Sequence, residues 1–221
     1  MRHDLRLLPP DALIKTGPVD EADWNFRPVL GAIQRQRFHL IVKLLGDDRF
    51  RRLLEVGYGS GVFLTELQRH CEELYGIDPH PMPKQVEEVL ATRGVTARLF
   101  SGEAAAMPFT DGFFDCVVAV SSLEFIPDLD AACSEISRIL TPGGVFVVVT
   151  PGTSAIVDFG LKVLTGNRAK DDFGNRRQRV LPTLLRHFAV QQRLTFPSFA
   201  GSLVRFYTAL RLTQRPGSPA A

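Results

Sequence analysis

The sequence predicts an α/β protein built on a doubly wound, seven-stranded, mostly parallel sheet that a C-terminal antiparallel hairpin closes. Three observations predict it. Short apolar runs alternate with amphipathic, helix-length segments between residues 28 and 150, the pattern of strand–helix–strand crossovers. The runs at 114–120 and 145–150 are almost wholly apolar, as strands buried on both faces must be. Two further strand-like runs, 188–196 and 203–212, are separated by Pro197-Ser198-Phe199-Ala200-Gly201, a link that suits a hairpin.

In chain order, residues 1–20 are irregular, broken by Pro9, Pro10, Gly17 and Pro18. A segment with the sole tryptophan, Trp24, leads to Pro28, which fits the first turn of a helix. That helix spans 29–45, with Leu30, Ile33, Phe38, Ile41, Leu44 and Leu45 at mixed three- and four-residue spacing, and Gly46 ends it. Strand one covers 52–56. Gly57, Gly59 and Gly61 then break the chain before an amphipathic helix over 62–70. Strand two is 73–77, ending on Asp78, and Pro79, Pro81 and Pro83 precede a helix over 84–93. Strand three (96–100), a connection (101–112), strand four (114–120), a helix (129–140), the turn Thr141-Pro142-Gly143-Gly144 and strand five (145–150) follow. Beyond Pro151 come a helix over 156–164, a polar, basic stretch over 165–179, a helix over 181–187 and the two closing strands. The Pro/Ser/Ala-rich end, 214–221, is expected to be disordered.

A length of 221 residues suits one domain with a full core. A net charge of +2 gives no electrostatic argument for nucleic acid. Cys71, Cys116 and Cys133 are scattered and odd in number, which predicts no disulfide framework, no zinc site and a reducing compartment. His39, His70, His80 and His187 show no metal or triad spacing, so no metal site is expected. No secretory apolar run and no stretch of 18 apolar residues is present, which predicts a soluble, cytoplasmic protein.

The glycine turn carries the functional signal. A dinucleotide fingerprint, Gly-x-Gly-x-x-Gly, would place its third glycine at residue 62, which is Val62; the glycine comes one place early, at Gly61. Glu55, just before the turn, would repel a phosphate and suits an ammonium or sulfonium.

The run Glu55-Val56-Gly57-Tyr58-Gly59-Ser60-Gly61 resembles the first motif of class I S-adenosylmethionine-dependent methyltransferases, acidic-x-Gly-x-Gly-x-Gly. Asp78 at the end of strand two, Gly102-Glu103-Ala104 before Met107-Pro108-Phe109, the strand Phe114-Asp115-Cys116-Val117-Val118 and the turn Leu140-Thr141-Pro142-Gly143-Gly144 resemble that family's later motifs, in the same order. The likeness extends over residues 50–150 and fits the type 11-like members with small-molecule or lipid acceptors.

The resemblance implies a Rossmann-like fold, S-adenosyl-L-methionine as cofactor and methyl transfer to a small-molecule or lipid-like acceptor. It also implies cofactor contacts from Glu55, Gly57, Tyr58, Gly59, Gly61, Asp78, Pro79, Gly102, Glu103, Ala104, Ser121 and Leu123. Asp78 is expected at the ribose, Glu103 at the adenine amino group, and Ser121 and Leu123 at the cleft through their backbone. Glu103 stands where an aspartate is more usual. The histidine that relatives often carry near residues 124 and 125 is absent, so the base is unassigned, with Tyr58 and Glu124 as candidates.

Trp24, Arg27, Glu124 and Arg176 are the candidate substrate contacts. In domain terms the reading is a single methyltransferase domain over 1–213: a lid or helical segment (1–46), a cofactor-binding core (47–150) and a substrate-side insertion with closing strands (151–213). No nucleic-acid partner is expected, since no Asn-Pro-Pro-Tyr-type motif follows strand four. No transmembrane segment is expected either, although the helix over 156–164 and the basic residues 168–179 suit peripheral membrane contact. The oligomeric state is unassigned. A non-catalytic S-adenosylmethionine-binding module and an NAD(P)-dependent oxidoreductase are the alternatives.

Overall fold

The computed structural model describes residues 4–17, 20, 22–152, 176–198 and 205–215. Seven strands form one sheet in the order β3-β2-β1-β4-β5-β7-β6. They are β1 Phe50–Val56, β2 Cys71–Asp78, β3 Arg98–Ser101, β4 Phe114–Val120, β5 Leu140–Pro151, β6 Phe188–Phe196 and β7 Tyr207–Gln214. Neighbours from β3 to β5 run parallel; β7 runs antiparallel to both β5 and β6. The doubly wound sheet with its closing antiparallel strand is therefore the fold the sequence predicts.

The helices described are α1 Pro28–Leu45, α2 Leu64–Leu67, α3 Pro83–Thr92, α4 Leu129–Ile139 and α5 Arg176–His187. The two-residue period of the strands splits the core into two layers. Leu53, Cys116, Val118, Val145 and Val147 face one side with Phe38 and Ile41 of α1, Leu64 of α2 and Val86 of α3. Leu54, Val117, Phe146 and Val148 face the other, with Ala132 and Ile136 of α4 and Leu184 of α5. Both faces of the central strands are covered, which explains their unbroken apolar sequence.

Several boundaries differ from the sequence reading. The helix expected over 62–70 is only the four residues of α2 followed by a 3-10 turn, Gln68–His70, because β2 starts at Cys71 and leaves little chain for the crossover. The expected turn at 141–144 survives as a bulge: β5 pairs with β4 at Phe114↔Leu140 and resumes at Cys116↔Val145, and Gly143 takes φ +82°. Helix α5 starts at Arg176 rather than 181 and carries Pro182 inside it. Gln214, expected in a disordered tail, instead ends β7, and its amide donates to the carbonyls of Ser137 (2.7 Å) and Leu140 (3.2 Å). The helix expected over 156–164 and the basic stretch as far as residue 175 lie outside the described residues, as does 216–221. Among the described residues no helix is long and apolar enough to cross a membrane, and Cys71, Cys116 and Cys133 are buried free thiols.

Candidate functional site

A cavity of about 850 Å³ opens at the carboxyl ends of β1, β2, β4 and β5, where ligands bind in parallel α/β sheets. The glycine turn after β1 forms its floor. Gly57 has φ +80°, and a Cβ there would overlap the Ser122 Cβ. The Ser122 hydroxyl donates to the Val56 carbonyl at 2.7 Å, so the ends of β1 and β4 meet too closely for a side chain. Gly59 donates its N–H to Asp78 Oδ2 at 2.9 Å, and the His80 N–H donates to Asp78 Oδ1 at 3.2 Å. His80 Nδ1 accepts from the Met82 N–H at 3.1 Å, which makes Nε2 the protonated nitrogen; Nε2 lies 3.0 Å from the Gly59 carbonyl and donates to it. Asp78 and His80 thus pin the turn from both backbone groups of Gly59.

Two buried carboxylates face this space. Glu55, 3% exposed at the end of β1, has an Oε2 with no hydrogen-bond partner among the described residues. Burial, reinforced by Asp78 and opposed by Arg37, pushes its pKa up to about 8. Glu124, also 3% exposed, sits on the 3-10 turn Leu123–Phe125 after β4, and its Oε2 is likewise unpartnered. Burial lifts its pKa to about 7, against its own backbone N–H, Arg177 and Arg37. Ser121, just past the end of β4, holds φ +52°, a strained conformation for a residue with a side chain, and its Oγ is buried without a partner among the described residues.

The loop after β3 brings Gly102, Glu103 and Ala104 to the cavity. Helix α4 clasps the rest of that loop. Glu135 accepts the Met107 N–H at 2.8 Å, and Arg138 donates to the Phe109 carbonyl (2.8 Å), the Met107 carbonyl (3.2 Å) and Asp111 (2.7 Å). On the opposite wall, Asn25 Nδ2 donates to the Ala22 carbonyl at 2.8 Å, the Arg35 guanidinium donates to the Asn25 carbonyl, and a Cβ at Gly31 would overlap that carbonyl. These contacts seat the 3-10 turn Ala22–Phe26 on α1, and the segment before α1 supplies Thr16, Gly17, Asp20, Ala22 and Trp24 to the cavity wall.

Most of the expected contacts line one cavity: Glu55, Gly57, Tyr58, Gly59, Asp78, Pro79, Gly102, Glu103, Ala104, Ser121, Trp24, Glu124 and Arg176. Three do not. Gly61 serves packing: with φ +75°, its Cβ would press on Val86 of α3 at 3.0 Å. Leu123 is 1% exposed and belongs to the core layer around α4. Arg27 caps the start of α1, pairs with Asp23 at 3.1 Å and lies over the Trp24 ring. Tyr58 lines the wall, but its ring packs on Gly76 of β2, where a Cβ would come within 2.8 Å, and edge-on against His80. With a hydroxyl buried and its pKa raised by that burial, Tyr58 is held as wall, which speaks against the catalytic expectation for it.

Sequence reasoning missed Arg37, Gln34 and Tyr207, all of which line the cavity. Arg37 Nη2 donates to Asn25 Oδ1 at 3.2 Å and its Nε is buried with no partner among the described residues; Tyr207 donates to Gln34 Oε1 at 3.2 Å. The signal was present. Gln34 and Arg37 share a helical face with Phe38 and Ile41, so two polar residues interrupt an apolar stripe.

A family model described as a methyltransferase domain matches residues 54–148, the span from the glycine turn to β5. This stretch, less than half of the chain, is similar to methyltransferase domains. A sterol 4-C-methyltransferase from Caenorhabditis elegans is 34% identical over 120 residues, 53% of this chain and 36% of that protein. A demethylmenaquinone methyltransferase from Thermus thermophilus is 31% identical over 102 residues, 45% of this chain and 46% of that protein. The chain therefore spans less than half the length of these curated relatives. Among solved structures, the N-methyltransferase NodS from Bradyrhizobium japonicum in complex with S-adenosylhomocysteine has the same fold, with a TM-score of 0.61 at 17% identity over 91% of this chain and 95% of that one.

The donor set of the cavity fits S-adenosylmethionine. The cofactor presents two cationic groups, a diol and an adenine. Glu55 offers an unpaired buried carboxylate oxygen, Asp78 two carboxylate oxygens already aligned by backbone N–H groups, and the 102–104 loop an exposed carboxylate, Glu103.

Proposed function

We propose that this chain transfers a methyl group from S-adenosylmethionine to a small-molecule or lipid-like acceptor. One observation carries the reading: the floor of the cavity presents two carboxyl groups to the cationic end of a ligand. Glu55 and Asp78 flank the glycine turn, and the helix behind the turn is only four residues long. A pyrophosphate would meet two carboxylates and little helix dipole, whereas a sulfonium and an ammonium are attracted to this floor.

The cofactor supplies an electrophilic methyl group on a positively charged sulfur. The protein's part is positioning. Glu55 holds the cationic end, Asp78 the diol and the loop around Glu103 the adenine, so that a single geometry is presented to the acceptor. Orientation of this kind is worth about 7–11 kcal/mol in well-aligned systems. The segment carrying Trp24 and the turn carrying Glu124 close the cavity over the reacting groups and exclude water. The names of the sterol and menaquinone relatives support an acceptor of the lipid-like class, and the mostly apolar neighbours of Glu124 on the wall (Phe125, Ile126 and Pro127) agree with it.

Incubation with methyl-labelled S-adenosylmethionine and fractionated small-molecule and lipid extracts tests the reading. Label should pass to an extractable product with release of S-adenosylhomocysteine. Cofactor binding without transfer to any fraction would favour the non-catalytic binding module.

A further inference from the structure

Part of the cavity lining has no cofactor contact assigned to it: Gln34 and Arg37 of α1, Glu124 after β4, Arg177 of α5 and Tyr207 of β7. Tyr207 and Gln34 satisfy one another at 3.2 Å. Glu124 and Arg37 do not: Glu124 Oε2 is a buried acceptor and Arg37 Nε a buried donor, each without a partner among the described residues. The two groups are close enough to influence each other's ionisation.

An unmade bond to a buried charged group is expensive, so this pair specifies what belongs between its members. An ammonium donates only and would leave Arg37 unanswered. A carboxylate accepts only and would meet Glu124 as a like charge. A hydroxyl does both, donating to the carboxylate and accepting from the guanidinium.

We propose that Glu124 and Arg37 form the acceptor end of the cavity, built for a weakly acidic hydroxyl, a phenol or an enol, with Glu124 as its proton acceptor. The inference rests on the methyl-transfer reading and deepens it. The acceptor oxygen forms its bond to the methyl carbon as the carbon–sulfur bond breaks, and that electron pair returns to the sulfur, which loses its positive charge. The O–H bond breaks as the proton passes to Glu124 Oε2. Arg37 faces the charge that gathers on the oxygen meanwhile. A carboxylate tuned by burial toward neutrality is matched to such an acceptor and too weak for an alkyl alcohol. The charged and titratable groups facing Glu124 are Arg37 from α1, Arg177 from α5 and Tyr207 from β7.

The test uses the full chain saturated with S-adenosylhomocysteine, with 4-nitrophenol as probe and its phenolate absorbance followed between about pH 6 and pH 9. In the native protein ionised Glu124 opposes the phenolate. Glu124→Gln removes that opposition and leaves Arg37, so the bound phenol should ionise about one pH unit lower. Arg37→Gln should shift it about one unit the other way. S-adenosylhomocysteine affinity should stay within about twofold in Glu124→Gln, which confirms that the variant folds. Equal ionisation of the bound probe in all three proteins overturns the proposal. So does the absence of 4-nitrophenol binding to a chain that binds S-adenosylhomocysteine. Failure to bind S-adenosylhomocysteine at all strikes the methyl-donor reading instead, and is seen before the probe is added.

Discussion

The Asp78 carboxylate accepts the Gly59 backbone N–H at 2.9 Å, joining the end of β2 to the middle of the glycine turn. One residue thereby shapes the turn and faces the cavity. Asp78→Ala should weaken S-adenosylhomocysteine binding by about tenfold or more, since hydrogen bonds to a charged group are worth about 1.5–3 kcal/mol. Titration calorimetry reads this, and the circular dichroism spectrum should remain native. Unchanged affinity would place the ribose elsewhere.

Gly57 is fixed by packing. Its φ of +80° and the Ser122 side chain leave no room for a Cβ. Gly57→Ala should cost roughly 1–3 kcal/mol of stability from backbone strain alone, with more from the overlap, and should lower the melting temperature by several degrees. Equal melting curves for the two proteins would contradict the close approach of β1 and β4.

Glu55 and Glu124 are carboxyls whose pKa values are raised on folding, to about 8 and about 7. The folded chain therefore binds more protons than the unfolded chain between the ordinary glutamate range and those values. Stability from both groups is fully present below that range and is lost as pH rises through about 7 and about 8. The melting temperature of the ligand-free protein should fall from about pH 6 to about pH 9, and less steeply in Glu55→Gln. Affinity for a cationic ligand should rise with pH over the same window, because Glu55 must shed its proton to meet the ligand's charge. A melting temperature that climbs over this range would refute the assignment.

Arg138 ties α4 to the loop that precedes β4, through bonds of 2.8 Å to the Phe109 carbonyl and 2.7 Å to Asp111. Arg138→Ala should destabilise the protein by about 2 kcal/mol and weaken S-adenosylhomocysteine binding a few-fold, although Arg138 does not line the cavity. Loss of stability with undiminished affinity would show that the clasp is independent of the 102–104 segment.

The fold and the glycine-turn side of the cavity were legible in the sequence because both depend on local signals. Apolar runs marked the strands, and the order Glu55, glycine turn, Asp78, Gly102-Glu103-Ala104 marked their carboxyl ends. The lining from Gln34, Arg37 and Tyr207 was not legible, for a physical reason. Arg37, Gln34 and Tyr207 reach the cavity from a helix and a strand some 170 residues apart, and Tyr207 meets Gln34 (173 residues away) only through the tertiary fold. Gly61 packs against α3, and in sequence a glycine needed for helix packing looks like one needed for a ligand. The crossover helix was overdrawn because the amphipathic pattern of 62–70 does not reveal that β2 claims Cys71. Leu123 and Glu124 are neighbours of opposite orientation: Glu124 turns to the cavity while the Leu123 side chain turns to the α4 layer.

The floor around Glu55 and Asp78 is expected to take S-adenosylmethionine and to reject a dinucleotide. Calorimetric titration of the full chain with S-adenosylhomocysteine and, separately, with NAD at about pH 8 tests it most directly. The expected result is saturable binding of S-adenosylhomocysteine, weakened about tenfold or more in Asp78→Ala, and no heat from NAD. Tight binding of NAD with none of S-adenosylhomocysteine would contradict it.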